Sequence, residues 1–151
     1  MSRILRSIHS QLFVAICLLV LMTTTFIEQA QAEQTQPGVV FHISHSSQAS
    51  RAMIQITRLM EGMPGVPVVI VGVADGIRFM LDGAKDKNGA PYSARIEQLI
   101  GNGVEIYACR NTLDTFELTD NDLTFGIDTV PSGIVAVSEY QLKKGYAYIK
   151  P

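Results

Sequence analysis

The sequence predicts an α/β domain in three layers, in which a mainly parallel sheet of about five strands lies between layers of helices. Three observations predict this class. Strand-like and helix-like segments alternate from Val39 onward. The segment 67–73 is almost continuously apolar, as expected for a strand that is covered on both faces of a parallel sheet. No repeat, low-complexity run or linker interrupts the alternation, so residues 39–151 are predicted to form one domain.

The first part of this domain is predicted to contain strands at 39–43 and 67–73. Between them, Ser46 and Ser47 are suitable helix caps and Gly62 is a suitable stop. The apolar residues of this helix recur at helical spacing, and they are Ala49, Ala52, Met53, Ile56 and Met60. After the second strand, Asp75 can cap a short helix at 76–81.

The segment 83–89 is predicted to be a solvated loop that leads into the next helix. The apolar residues of that helix are Tyr92, Ile96, Leu99 and Ile100. A turn at 101–103 separates it from the third strand, which is predicted at 104–108 and ends on Cys109.

The helix after Cys109 is predicted to begin at Asn111 or Thr112, because both are good N-cap residues. Thr119 and Asp122 have the spacing of a capping box, which predicts a further short helix. The remaining elements are a strand at 126–130, a helix that begins at Ser132 and ends near Gly145, and a strand at 146–149.

The N-terminus has the pattern of a secretory signal peptide. Arg3 and Arg6 precede an apolar stretch at 12–22, and Ala30 and Ala32 stand at the minus three and minus one positions of a cleavage site. Residues 1–32 are therefore predicted to be removed, and 33–38 to form a mobile leader. The apolar stretch is shorter than the ~20 residues of a spanning helix, although an uncleaved anchor remains the alternative. We expect a periplasmic or secreted protein without stable membrane insertion after cleavage.

Charge and motifs argue against several function classes. The formal net charge is −2 and the basic residues are scattered, so no nucleic-acid partner is predicted. No glycine-rich dinucleotide or phosphate motif follows a strand, and no Gly-x-Ser-x-Gly elbow is present, so no cofactor and no serine triad are predicted. A metal site would need His42, His45 and Cys109 to converge, and the His-x-x-His spacing is weak evidence, so no metal is predicted.

Cys109 is the candidate reactive residue. The chain has two cysteines, and Cys17 would leave with the signal peptide, so Cys109 cannot form an internal disulfide. The N-terminus of the following helix and Arg110 would lower a thiol pKa from about 8.5 to roughly 4 to 7.5. The alternative is a buried structural cysteine, since free cysteine is among the most buried residue types.

Further candidates follow from the rule that open α/β sheets bind ligands at the carboxyl ends of their strands. His45 follows the first strand and would accept a proton from Cys109 or donate a hydrogen bond to a group that the cysteine carries. Ser132 and Gly133 open another helix at the same edge, where their N–H groups would bind an anion. For both sets the alternative is a purely local role, in the loop backbone or as a helix cap.

Three motifs resemble one known family in their order along the chain. They are Tyr107-Ala108-Cys109-Arg110-Asn111-Thr112-Leu113, Pro131-Ser132-Gly133-Ile134-Val135 and Gly145-Tyr146-Ala147-Tyr148-Ile149-Lys150-Pro151. The resemblance is to the DsrE/DsrF-like sulfur-relay family, and to its subgroup with a Cys-x-Asn-Thr motif and this type of ending. It implies a DsrE-like domain with flavodoxin-like layering.

The resemblance also implies a chemistry. In the sulfur-relay members a cysteine after a central strand carries sulfur as a persulfide, and the matching residue is Cys109, with Arg110, Asn111 and Thr112 in support. Partners would be sulfur donor and acceptor proteins or small sulfur species, and the assembly a homo-oligomer, trimer or hexamer. A non-enzymatic module that binds a small anion or serves assembly is the alternative function. Whether the protein is an enzyme stays open.

Overall fold

The computed structural model describes residues 37–151. The predicted signal peptide, and the predicted leader up to residue 36, lie outside the described residues. Within 37–151, no helix combines the length and the apolar character that a membrane span requires.

A five-stranded sheet forms the centre of the domain, and every neighbouring pair of strands is parallel. The strand order is β4-β3-β2-β1-β5. The bounds are β1 Val39–Ile43, β2 Val68–Gly72, β3 Glu105–Cys109, β4 Asp128–Val130 and β5 Ala147–Ile149. The predicted α/β class with a parallel sheet is therefore confirmed, and β5 lies at an edge, where it pairs with β1 alone.

Four α-helices and three short 3₁₀ segments connect the strands of the described domain. The α-helices are α1 Ala49–Gly62, α2 Ser93–Gly101, α3 Arg110–Thr115 and α4 Gly133–Leu142. The 3₁₀ segments are Ser46–Gln48, Ala74–Met80 and Asp120–Asp122. The helix predicted at 76–81 is thus a 3₁₀ segment that begins earlier. It approaches β1 closely at Gly76, where an added Cβ would lie 2.1 Å from the carbonyl oxygen of Ile43.

The two faces of the sheet are covered unequally. The chain crosses the sheet from β1 to β4 in one direction and then returns to β5 on the far side of β1. Because such crossovers are right-handed, the return connection lies on the opposite face. The larger core contains the alternate β1 residues Val39, Phe41 and Ile43 together with buried residues of α1 and α2. The smaller core is formed with α4, and it contains Val40, Val69, Val71, Val137 and Tyr140.

The predicted capping box is present at the 3₁₀ segment Asp120–Asp122. The Asp122 carboxylate accepts hydrogen bonds from both the N–H and the hydroxyl of Thr119, each at 2.8 Å. This segment lies in the connection from α3 to β4, so the capping box stabilises the connection that follows the helix after Cys109.

Candidate functional site at Cys109

Cys109 is the last residue of β3 and the N-cap residue of α3. The prediction that Asn111 or Thr112 caps this helix is wrong, because Arg110 is already helical and Cys109 has extended backbone angles (φ −75°, ψ 118°). Asn111 and Thr112 therefore lie in the first turn, where their N–H groups have no intrahelical acceptor. The free N–H groups of the first turn of α3 therefore lie at the end of the helix that Cys109 occupies.

The first turn of α4 approaches the same sulfur. The N–H of Gly133 donates a hydrogen bond to the Cys109 Sγ at 3.2 Å. Only 5% of Cys109 is exposed. The sulfur thus lies at the carboxyl edge of the sheet between the N-terminal ends of two helices, on the sheet face covered by α4. The structure brings Cys109 and Gly133 into hydrogen-bond contact, and Thr112 lies in the first turn of α3 beside them.

The pKa of the Cys109 thiol lies below its ordinary value. Burial raises the pKa, but polar groups near the sulfur outweigh it: the Thr112 hydroxyl contributes most, followed by the N–H groups of Gly133, Thr112 and Asn111. Of these groups, the Gly133 N–H makes the hydrogen bond to Sγ described above. Hydrogen bonds to the charged form of an acid favour that form. The surroundings of Cys109 consequently make the thiolate, which is the nucleophilic form of cysteine, easier to form than it is in an unperturbed thiol.

Gly133 has a steric reason to be glycine. A Cβ added there would lie 2.3 Å from the Val73 Cγ1 and 3.2 Å from the Cys109 Cβ. Any side chain would push α4 away from the sheet, and the N–H of residue 133 would move with it. The absence of a side chain therefore allows the hydrogen bond to the sulfur.

Ala74 is a further residue of the site, and no pattern in the sequence predicted a role for it. Its N–H donates a hydrogen bond to the Thr112 Oγ1 at 3.1 Å. Its φ of 47° is in the left-handed region, which a non-glycine residue adopts at a cost of about 1 to 3 kcal/mol. The bond from Ala74 holds the Thr112 hydroxyl oxygen in place, and the same hydroxyl helps lower the Cys109 pKa.

Arg110 has different partners from those expected. Its guanidinium donates to Asp120 Oδ2 at 2.6 Å and to the Thr129 hydroxyl at 2.9 Å. The hydrogen bond to Asp120 raises the pKa of Arg110. These bonds direct the Arg110 guanidinium to Asp120 and Thr129. In this structure it ties α3 to the segment before β4.

The side chains of the remaining candidates, His45, Ser132 and Asn111, make no hydrogen bond to the sulfur. His45 is exposed, and its Nδ1–H donates to the carbonyl of its neighbour Ser44 at 2.8 Å. Ser132 is the N-cap residue of α4 but makes no side-chain capping bond. Asn111 is exposed, and its N–H donates to the Pro131 carbonyl at 3.4 Å, which joins the two helix starts.

His42 is separate from the cysteine. It is 9% exposed and shares a 2.9 Å hydrogen bond through Nδ1 with the Tyr148 hydroxyl of β5. Burial, and secondarily the charge of Lys150, lower its pKa. No group of three or more His, Cys, Asp or Glu side chains among residues 37–151 is arranged to hold a metal ion.

Comparisons with known proteins agree with this fold. A model of the DsrE/DsrF-like family matches residues 38–151. A protein of unknown function from Methanobacterium thermoautotrophicum is similar in structure, with a TM-score of 0.67 and 30% sequence identity, over 77% of this chain and 100% of that one. No match was found among curated proteins.

The ychN protein from E. coli is also similar, with a TM-score of 0.65 over 77% of this chain and 100% of that one. Its sequence identity of 15% supports the fold alone. The family match covers every strand and α-helix described above, including β3, Cys109 and both helix starts around the sulfur. The chain therefore belongs to the DsrE/DsrF-like family.

Proposed function

We propose that this protein is an exported sulfur carrier that holds sulfur on Cys109 as a persulfide. Family membership supports a sulfur-relay type of function in general. The observation that carries the specific proposal is the hydrogen bond from the Gly133 N–H to the Cys109 Sγ, together with a thiol pKa that is lowered in spite of burial. A structural cysteine in an apolar site would have a raised pKa instead.

The chemistry requires only a thiolate and a donor that contains sulfane sulfur. The Cys109 thiolate attacks the terminal sulfur of a donor persulfide, a new Sγ–S bond forms, and the donor's own S–S bond breaks. The electron pair of that bond leaves with the donor as a thiolate. With thiosulfate the leaving group is sulfite. The N–H of Gly133 and the Thr112 hydroxyl would stabilise the anionic sulfur before the attack and after it.

Intact mass measurement tests the proposal. Wild-type protein incubated with glutathione persulfide or thiosulfate should gain the mass of one sulfur atom, and a reductant should remove it. Peptide mapping should place the adduct on Cys109, and Cys109→Ser should gain nothing. Failure of both donors to modify the wild-type protein would contradict the carrier function.

A second function is favoured by one observation, the 5% exposure of Cys109. In that case the protein is a non-enzymatic module in which the donors bind a small anion or the domain serves assembly. Alkylation of the thiol separates the two functions. A carrier cysteine should react with iodoacetamide at pH 7 faster than free cysteine, whereas a module would react slowly at pH 7 and only as fast as free cysteine above about pH 8.5.

The proposed context is an exported homo-oligomer, a trimer or hexamer, whose partners are sulfur donor and acceptor proteins or small sulfur species. The leader sequence supports export. Assembly is supported by the outer face of α4, where Ile134, Val135 and Leu142 are 62%, 53% and 86% exposed. A helix with apolar residues on both faces is typical of a buried position.

A further inference from the structure

A groove of about 600 Å³ lies on the opposite sheet face from Cys109. Its walls are α1, the start of α2 and the loop that precedes α2. Four cationic side chains line it: Arg51 and Arg58 from α1, Lys87 from the loop, and Arg95 from α2. Because the whole chain has a net charge of −2, this concentration of positive charge is local.

Three of the four cations make no ion pair with the described residues. Arg51, Arg58 and Lys87 are exposed, and no carboxylate of residues 37–151 lies within 4.0 Å of their charged groups. The single carboxylate in the lining, Asp86, lies 3.7 Å from Arg95. The groove thus keeps an excess of positive charge that the protein itself does not neutralise.

The loop wall is an ordered structure, although the sequence predicted only a solvated loop. Asp86 Oδ1 accepts hydrogen bonds from the N–H groups of Asn88 at 2.8 Å and Ala90 at 3.0 Å. The N–H of Asp86 in turn donates to the Ala90 carbonyl at 2.8 Å. The Asp86 side chain is 5% exposed. Asp86 Oδ1 is occupied in holding the loop and Oδ2 faces Arg95, so this carboxylate weakens the positive character of the groove only partly.

Spacing indicates the shape of the ligand. Arg51 and Arg58 are seven positions apart on one side of α1, which places their backbones about 10 Å apart along the helix axis. An extended peptide in the polyproline II conformation rises about 3.1 Å per residue with three residues per turn, so its carboxylates three positions apart lie on the same side and about 9 Å from each other. One phosphate or sulfate would occupy one part of the groove and leave a cation at its far end unused.

We propose that this groove binds an acidic, extended segment of a partner protein. Arginine binds carboxylates in bidentate geometry, and four cations on two facing walls suit a chain with several acidic side chains. Nucleic acid fits less well, because Tyr92, the aromatic residue of the lining, is 7% exposed and offers no stacking surface. The groove would recruit a partner independently of the thiol chemistry at Cys109.

Calorimetric titration with a defined peptide tests this proposal. The probe is a peptide of about twelve residues with glutamate at every third position in a glycine and serine background, and the control peptide has glutamine instead. Wild-type protein should bind the glutamate peptide saturably and the glutamine peptide at least about tenfold more weakly. Cys109→Ser should bind the glutamate peptide like wild type, which separates this result from the carrier function.

The decisive variant is Arg51→Gln combined with Arg58→Gln, which should weaken binding of the glutamate peptide by about tenfold or more. Its matched control is Lys143→Gln combined with Lys144→Gln, an equal loss of charge on exposed residues at the end of α4, which should leave binding unchanged. Equal binding by wild type and the arginine variant would overturn the proposal. So would pyrophosphate that binds more tightly than the peptide and loses affinity in the arginine variant, because the groove would then be a small-anion site.

Discussion

The N–H of Gly133 donates a hydrogen bond to the Sγ of Cys109 at 3.2 Å, although 24 positions separate the two residues. The bond joins the carboxyl end of β3 to the first residue of α4. The electrostatic surroundings of the thiol therefore depend on how closely α4 packs on the sheet.

Gly133→Ala should raise the pKa of Cys109 and destabilise the fold. The added Cβ would meet Val73 Cγ1 at 2.3 Å, so α4 must move outward and the hydrogen bond to the sulfur must lengthen. Overpacking of this kind costs about 1 to 3 kcal/mol. The pH dependence of iodoacetamide alkylation measures the pKa, and urea unfolding measures the free energy. Gly62→Ala is the control, because no atom lies within 4 Å of its added Cβ. An unchanged alkylation profile in Gly133→Ala would mean that this N–H does not affect the thiol.

Thr112→Val should slow alkylation of Cys109 at pH 7. The hydroxyl is the largest of the groups that lower the thiol pKa, and valine keeps its shape without the donor. One pKa unit corresponds to a tenfold change in the protonation equilibrium, so we expect up to about a tenfold loss of rate. Thr112→Ser should retain most of the rate. Thr115→Val is a control on the same helix, since the Thr115 hydroxyl donates to the Asn111 carbonyl. Equal slowing by both valine variants would point to a general effect on α3.

The stability of the fold should depend on pH through Cys109. The pKa of its thiol is lowered in the folded protein, so between that pKa and the unfolded value of about 8.5 the unfolded chain binds more protons. The free energy of unfolding of wild type, relative to Cys109→Ser, should therefore rise with pH across this interval and level off above about pH 8.5. This contribution is lost as the pH falls through the folded pKa. Urea unfolding under reducing conditions at several pH values measures the difference. A difference that falls as the pH rises would show a raised pKa.

Ile134→Asp should dissociate the proposed homo-oligomer without unfolding the subunit. The side chain is 62% exposed on α4, so an aspartate there is hydrated in a monomer but desolvated and unpaired in an interface, which costs several kcal/mol. Light scattering at tens of micromolar measures the mass. Met63→Asp, at a residue that is 54% exposed just after α1, should not change it. Tyr148→Asp would be harder to interpret, because it also removes the hydrogen bond between the Tyr148 hydroxyl and His42 within the subunit. A monomeric wild type would refute the assembly.

The exported protein should begin at Glu33. Cleavage after Ala32 follows from the small residues at 30 and 32 and from the basic and apolar segments before them. N-terminal sequencing of material from the periplasm or the culture medium measures this. An intact Met1 on exported material would replace the soluble form with an anchored one.

The sequence by itself determined the elements of the fold. Apolar runs such as 67–73 and the helical spacing from Ala49 to Met60 are local patterns, and each corresponds to a strand or helix close to its predicted limits. The placement of Cys109 at the end of β3 follows in the same way. The capping box of Thr119 and Asp122 was also predictable, because both partners lie within one turn.

Tertiary structure decided which of the candidates meet. Strand order and the choice of sheet face depend on pairings between distant segments, and no local pattern encodes them. Packing placed the Gly133 N–H on the sulfur, drew Arg110 to Asp120, and left His45 bonded to Ser44. It also gathered Arg51, Arg58, Lys87 and Arg95 around one groove, although they are scattered in sequence. Hydrogen bonds and charges act over a few ångströms, so their partners are fixed only when the packed layers bring distant segments together.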